Sequence, residues 1–322
     1  MSTPTADTGP TGADREFTGT NPTLLGLVLA VLTFWLFAQS ALNIGPVMAG
    51  DTGIPQPLMN TAISLAALFA GMFVVIAGGF GDRYGRVRFL TIGLVINIVG
   101  SLLVAGAFSD LSAVMMLLGR ALQGLAAAFI MPTSLALVKT YWQGKDRQRA
   151  VSMWSIGTFG GSGLAALVGG WLTGTVVGWR GLFVLSAAVA VAAIILIRPL
   201  PESRPAAGLE RRLDVAGIAS FLVALLSAQV VATQGSSLGW AHPIILTLAA
   251  VAAAALIVFF RVESGNPDAF IDFRLFRSRS FSGAVLANFL MNSCVGVMTV
   301  ALWMLQQAGG LSAADAGYVT LG

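Results

Sequence analysis

Apolar residues in this chain run in long, nearly unbroken stretches, without the strict alternation of a half-buried strand or the single apolar face of a soluble helix. A helix rises about 1.5 Å per residue, so roughly 20 apolar residues cross the hydrocarbon of a bilayer. Nine stretches reach that length, over residues 23–48, 57–80, 88–108, 111–138, 148–173, 179–198, 213–234, 243–262 and 280–306. A tenth starts near Ala313 and the chain ends at Gly322 inside it. Short breaks carrying Gly, Pro or charge separate them. In hydrocarbon each backbone N–H and C=O must find its partner within the protein, which makes such stretches helical. The expected fold class is an all-α membrane protein.

Composition agrees with the pattern. Only 10% of the 322 residues are charged, 56% are hydrophobic, and the mean hydropathy is +0.84. Soluble domains carry about 25% charged residues, so the bilayer must serve as solvent here. A net charge of +4 does not indicate nucleic-acid binding, because the basic residues form no patch on a polar face. They sit in alternate connections: Arg15 before the first stretch, Arg83, Arg86 and Arg88 after the second, and Lys139, Lys145, Arg147 and Arg149 after the fourth. Arg198, Arg204, Arg211 and Arg212 follow the sixth, and Arg261, Arg274, Arg277 and Arg279 the eighth. Arg180 alone falls on the other side, and Arg120 within a stretch. By the positive-inside rule the N-terminus is cytoplasmic and the membrane is the cell's inner (cytoplasmic) membrane. Residues 1–22 are polar with no apolar core, and read as a disordered cytoplasmic arm rather than a signal peptide. Cys294, the single cysteine, lies in an apolar stretch and is expected to be a small buried hydrophobe.

Prolines and charges at 199–212 mark a cytoplasmic linker after a six-helix bundle, 23–198. A helix pair at 213–262 and a second hydrophilic connector at 263–279 follow, and 280–322 starts a further, truncated bundle.

Chemistry concentrates in a few places. Between the second and third stretches stands GGFGDRYGRVRFL, Gly78 to Leu90. Gly78, Gly79, Gly81 and Gly85 let two helix ends approach and turn, Asp82 can cap or pair beside a helix N-terminus, and the arginines anchor the turn to the leaflet. Arg120, in GRALQGLAAAFIMP, is an arginine inside the bilayer, a costly placement that marks either a functional group or one satisfied by neighbouring carbonyls. The fifth stretch is rich in glycine: Gly157 and Gly161 have GxxxG spacing, and Gly169 and Gly170 follow, a pattern that suits close helix packing. No H-E-x-x-H, G-x-S-x-G or Walker loop is present, and His242 is the lone histidine, so an enzyme is not expected. No cofactor or metal is implied.

Gly78, Asp82, Arg83, Gly85, Arg86 and Leu90 match, in register, the loop signature of the major facilitator superfamily, with Phe80 and Val87 as departures. The spacing Arg120-x-x-Gln123-Gly124 resembles its second signature, whose arginine is linked to proton transfer. Ala165 and Ala166 stand where antiporters of the superfamily carry Gly-Pro. GWRGLFVLSA (178–187) is similar to the start of the sixth helix of drug exporters, and NPDAFIDFRLFRSRSF (266–281) resembles the connector before the ninth helix of fourteen-helix drug:proton antiporters. TFWLFAQSALN (33–43), GKDRQRA (144–150) and WSIGTFGGSG (154–163) look most like quinolone-resistance exporters of that group, which tolerate a missing Gly-Pro.

The resemblance implies a major facilitator fold with seventh and eighth helices inserted between two six-helix halves. It implies proton-driven efflux of amphipathic drugs, the partners being lipid, protons and a small substrate. On this basis Arg120, Gln123 and Asp51 are candidates for proton coupling, and Gly78, Asp82, Arg83, Gly85 and Arg86 for a conformational gate. Phe34, Trp35, Phe37, Gln39 and Asn43 are candidates for the substrate cavity. The acidic residue that many such exporters carry in the first helix falls here on Ala38, and no acid lies deep in a complete stretch. Asp51, at the outer end of the first, is the nearest substitute, or else a solvated loop acid. Two alternatives stay open: a transporter of a natural metabolite, and a truncated, non-transporting membrane protein that acts with a partner. A half-built second bundle leaves one cavity wall facing lipid, so the 322 residues are not expected to transport alone.

Overall fold

The structure, a computed structural model, describes residues 18–108, 110–203, 214–266, 273–310, 312, 315, 318 and 319. Among them are nine helices long and apolar enough to cross a membrane. They are α1 (Asn21–Thr52), α2 (Gln56–Tyr84), α3 (Arg86–Ala105), α4 (Ser112–Tyr141), α5 (Gly144–Thr173), α6 (Gly178–Ile197), α7 (Val215–Leu238), α8 (Pro243–Gly265) and α9 (Arg279–Gly309). Each falls on one of the apolar stretches. A short 3-10 turn, Phe273–Arg277, leads into α9.

Local chemistry sets several ends. α1 starts at Asn21 because Thr20 and Thr23 cap each other: the Thr20 N–H donates to Thr23 Oγ1 at 3.0 Å, and Thr23 N–H to Thr20 Oγ1 at 3.5 Å. The Gly19 N–H also donates to the Tyr141 carbonyl at 2.9 Å. The last residues of the expected disordered arm are therefore held against α4, and residues 1–17 lie outside the described residues. So do residues 204–212 of the expected linker, 267–272 of the connector, and most of the tenth stretch. Pro199 to Ser203 do not form a free linker: Leu200 is buried and the Tyr141 hydroxyl donates to the Pro201 carbonyl at 2.6 Å. Cys294 is exposed on α9, contrary to the expected burial, because α9 touches little besides α1 among the described helices.

α4 lies between α2 and α3 and packs most extensively against both. Lipid tails give apolar helices little reason to associate, so close van der Waals contact through small residues must do the work. A Cβ on Gly124 would stand 2.2 Å from the Ala66 carbonyl oxygen of α2, and one on Gly119 2.8 Å from the Gly100 oxygen of α3. α6 packs on α3 and α1, α5 on α1, and α7 with α8 forms a hairpin against α2. Gln229 and Gln234 of α7 fasten that hairpin, donating to Ser64 Oγ at 2.6 Å and Thr61 Oγ1 at 2.7 Å of α2. Apolar cores fill both ends of the α1–α6 assembly, one around Ile44, Met48, Met59 and Phe183, the other around Leu27, Leu94, Leu137 and Ile197.

The contact between α2 and α4 has no room for a methyl group. Gly124→Ala should destabilise the protein by about 1–3 kcal/mol, as overpacked sites do, read as a lowered Tm of the detergent-purified protein; an unchanged Tm would mean that α2 stands farther from α4.

Candidate functional site

Arg120 lies in the first third of α4, 2% exposed, where α1, α2 and α3 converge. A guanidinium in hydrocarbon costs about 3 kcal/mol or more unless its donors are satisfied. Here Nη1 donates to Gln123 Oε1 at 2.8 Å, and Nη2 donates to the backbone carbonyls of Ala38 at 3.1 Å and Ile63 at 3.2 Å. Ala38 closes a π turn in α1, Thr33–Ala38, where the regular helical ladder is interrupted. Nε has no partner among the described residues. Uncharged oxygens thus hold the cation, through one side chain and two backbone carbonyls. Gln123 Nε2 in turn donates to Ser101 Oγ of α3 at 3.0 Å.

The loop signature occupies the basic end of the same helices. Asp82 lies in the last turn of α2 and does not cap α3; of the two roles expected it takes the pairing one, with Arg86 at the first position of α3, Oδ1 to Nε 2.7 Å. Arg86 Nη1 donates to Thr140 Oγ1 at the end of α4, at 3.0 Å. The cap of α3 comes from far along the chain. Glu202 Oε1 accepts from the Val87 N–H at 2.9 Å and Oε2 from the Arg88 N–H at 3.0 Å, which sets a carboxylate on the positive end of the helix dipole. Gly85 has φ +123°, in the region that favours glycine, and a Cβ there would stand 2.5 Å from Glu202 Cδ. Gly81 and Gly78 rest on Thr133 and Pro132 of α4, a Cβ lying at 2.7 and 3.5 Å, while Gly79 faces open space. Arg83 stacks over the ring of Tyr84 at 5.4 Å.

Asp51 is far from Arg120. It stands 13 residues beyond Ala38 on α1, roughly 20 Å at 1.5 Å per residue. There it forms an ion pair with Arg180 and accepts from Trp179 Nε1 at 3.0 Å, both at the start of α6. Arg180 also donates to the Ala107 carbonyl at 3.1 Å and lies over the rings of Phe108 and Trp179, at 4.2 and 4.3 Å. Asp51 thus ties the end of α1 to the start of α6 and, through Arg180, to the segment after α3.

The cavity candidates divide. Phe37 is 2% exposed inside the core with Ile44 and Phe183, and Phe34 is buried against Ala127, so neither lines an open space. Trp35 and Gln39 are half-buried. The indole of Trp35 meets Phe34 edge-on at 5.4 Å, and its Nε1 has no partner among the described residues. Asn43 is buried, donates from Nδ2 to the Ala166 carbonyl at 2.9 Å, and accepts at Oδ1 from Gln306 Nε2 of α9 at 3.1 Å. The α5 glycines face α1: a Cβ on Gly157, Gly161 or Gly169 would lie 2.8, 2.8 and 3.0 Å from Val28, Leu32 and Ser40. Gly170 is buried beside them.

Glu202 and Ser101 carry much of this geometry without standing out in the sequence, and Arg180 stood out there only by its side of the membrane. Glu202 gave one usable signal, an acid directly after Pro201 in a basic segment. Glu202→Ala should cost about 0.5–1 kcal/mol, the lower part of the range for a lost cap because the carboxylate is solvent-accessible. A lowered Tm measures it, and an unchanged Tm would show that water replaces the cap fully.

Comparison with known proteins agrees with this architecture. The sequence profile of the Major Facilitator Superfamily matches residues 23–322. The chain is 40% identical over 307 residues to the quinolone resistance protein NorB of Staphylococcus aureus strain MW2, covering 95% of this chain and 65% of NorB. NorB of strain Newman gives the same figures. The chain thus spans about 65% of the length of the curated relatives it matches. Among solved structures, a peptide transporter POT in complex with sulfate superposes with a TM-score of 0.53 at 17% identity, over 76% of this chain and 52% of that one. Tetrameric PepTSo2 superposes with 0.52 at 16% identity, over 89% and 61%. At that identity the two show a shared fold and nothing finer. With the profile match and the NorB identity, they establish that the chain belongs to the major facilitator superfamily.

Proposed function

We propose that this chain forms the first bundle, the inserted helix pair and the start of the second bundle of a proton-driven exporter of amphipathic drugs of the quinolone-resistance type. The observation that carries the reading is its 40% identity to NorB across 95% of the chain. The bundle geometry supports it: a buried arginine held by neutral oxygens can exchange partners as helices move, and an ion pair to a fixed carboxylate would resist that. In this reading residues 23–198 are the first bundle, 213–262 the inserted pair and 280–322 the opening of the second bundle. The basic connections lie in the cytoplasm together with the N-terminus, and the membrane is the inner membrane of the cell.

Arg120 and Gln123 take the coupling role, and Asp51 is left to tie helix ends. The pair Asp82–Arg86, with Arg83 and the glycines Gly78 and Gly85, forms the cytoplasmic gate. Trp35 and Gln39, the half-buried candidates on α1, face the substrate path together with Asn43, while Phe34 and Phe37 support them from within the core. A path lined by aromatic and apolar groups with few polar contacts suits substrates of loose chemical definition.

Everted membrane vesicles carrying the complete gene product should accumulate ethidium or a quinolone when a proton gradient is imposed, and lose it on adding a protonophore. Arg120→Ala should lower the initial rate by roughly a hundredfold, since it removes three hydrogen bonds of about 1 kcal/mol each. Uptake indifferent to the gradient would overturn the proposal, and full gradient-driven uptake by Arg120→Ala would remove Arg120 from coupling.

A further inference from the structure

The hydrogen bonds at Arg120 do not stop at Gln123. Ser101 Oγ, which accepts from Gln123 Nε2, lies 3.3 Å from Ser186 Oγ of α6, and Ser186 Oγ accepts from Asn97 Nδ2 of α3 at 3.2 Å. Ser101 and Ser186 are fully buried, Asn97 is 2% exposed and Gln123 1%. A polar line through hydrocarbon-facing helices is costly unless every member is partnered, and here each finds a partner on another helix or within its own turn.

The direction of the line follows from its first member. Arginine only donates, so Gln123 must turn its amide oxygen toward the guanidinium. Its NH2 group then faces Ser101, which has to accept. Ser101 can hold that role only if its own proton is taken elsewhere, and Ser186 Oγ is the acceptor at hand. Asn97 donates to the same oxygen, so the proton of Ser186 itself points away from Ser101. Without Ser101 the NH2 face of the Gln123 amide loses its acceptor on this line, and the guanidinium alone is left to hold the amide in place. A turn of that amide would set NH2 against guanidinium and leave Nη1 without an acceptor.

We infer that Ser101, Ser186 and Asn97 are positioning residues for transport: they fix the Gln123 amide so that its oxygen holds Arg120 in the geometry coupling requires. This rests on the role proposed above for Arg120. None of the three lies within the loop signature or the Arg120–Gly124 signature, and none acts on substrate directly. They join α6 to the helices that hold Arg120, so a shift of α6 would reach the guanidinium through the amide.

The test uses the complete gene product in everted vesicles with ethidium as probe, rates being expressed per transporter quantified in the membrane. Ser101→Ala should lower the maximal rate about fivefold and leave the half-saturating dye concentration unchanged, the effect of one lost hydrogen bond. Ser186→Ala, one step farther away, should give a smaller loss of the same kind. In a Gln123→Ala background neither substitution should lower the rate further, because the amide they orient is gone. Wild-type rates for both variants would overturn the inference, and so would the same fold loss with and without Gln123, which is the mark of simple packing damage. A loss explained entirely by less protein in the membrane also counts against it. If the unmodified protein moves no dye under a gradient, the transport reading falls and this inference with it. Gradient-driven efflux that ignores Ser101→Ala defeats this inference alone.

Discussion

A positive charge inside an apolar bundle sets conditions that most of the structure meets. Arg120, buried among the helices, cannot be hydrated, and a fixed buried carboxylate would demand its own desolvation. The described structure meets the need with oxygens from α1, α2 and its own helix. That arrangement requires α2 to come close to α4, and Gly124 against the Ala66 carbonyl is the contact that permits it. It also requires α1 to present a carbonyl sideways, which the π turn ending at Ala38 provides. The small residues and the irregular turn are therefore parts of one solution.

The same rule governs the other polar side chains of the membrane region. Ser40 donates to the Ala165 carbonyl at 2.6 Å and Asn43 to that of Ala166, so α1 and α5 are joined at the Ala-Ala pair. Gln229 and Gln234 join α7 to α2 through hydroxyls. Each such side chain would be a liability on its own. Paired across helices they set register, a service that apolar contact alone performs poorly because lipid competes equally for apolar surface.

At the basic end, where water is present, the logic changes to charge and dipole. The negative carboxylate of Glu202 faces the first turn of α3 and closes it, while Asp82 balances Arg86 within a single turn of chain. Glu202 stands a few residues past the end of α6 at Ile197, so the segment leaving α6 is fastened to the start of α3. At the opposite end Asp51, Trp179 and Arg180 join α1 to α6. α6 is thereby anchored at both ends and, through Ser186, near its middle.

The sequence by itself determined the helices, since stretches of twenty or more apolar residues have one stable form in hydrocarbon. The family was readable only because Gly78 to Leu90 and Arg120 to Gly124 resemble the signatures of the superfamily, since a charged turn and a buried arginine need no such spacing by themselves. Partners were not readable. Asp82 sits beside two helix ends in sequence, and only the fold assigned the cap to Glu202, 115 residues past Val87. Asp51 reads in the sequence as a lone acid at a helix end, and only the fold brought Arg180 of α6 to it. Phe37 and Trp35 are aromatics two residues apart on α1, yet one lies in a core and the other is half-buried, because helix rotation against α5 and α6 decides which faces inward. A side chain's type fixes what it needs, and only tertiary contact between distant segments decides which group supplies it.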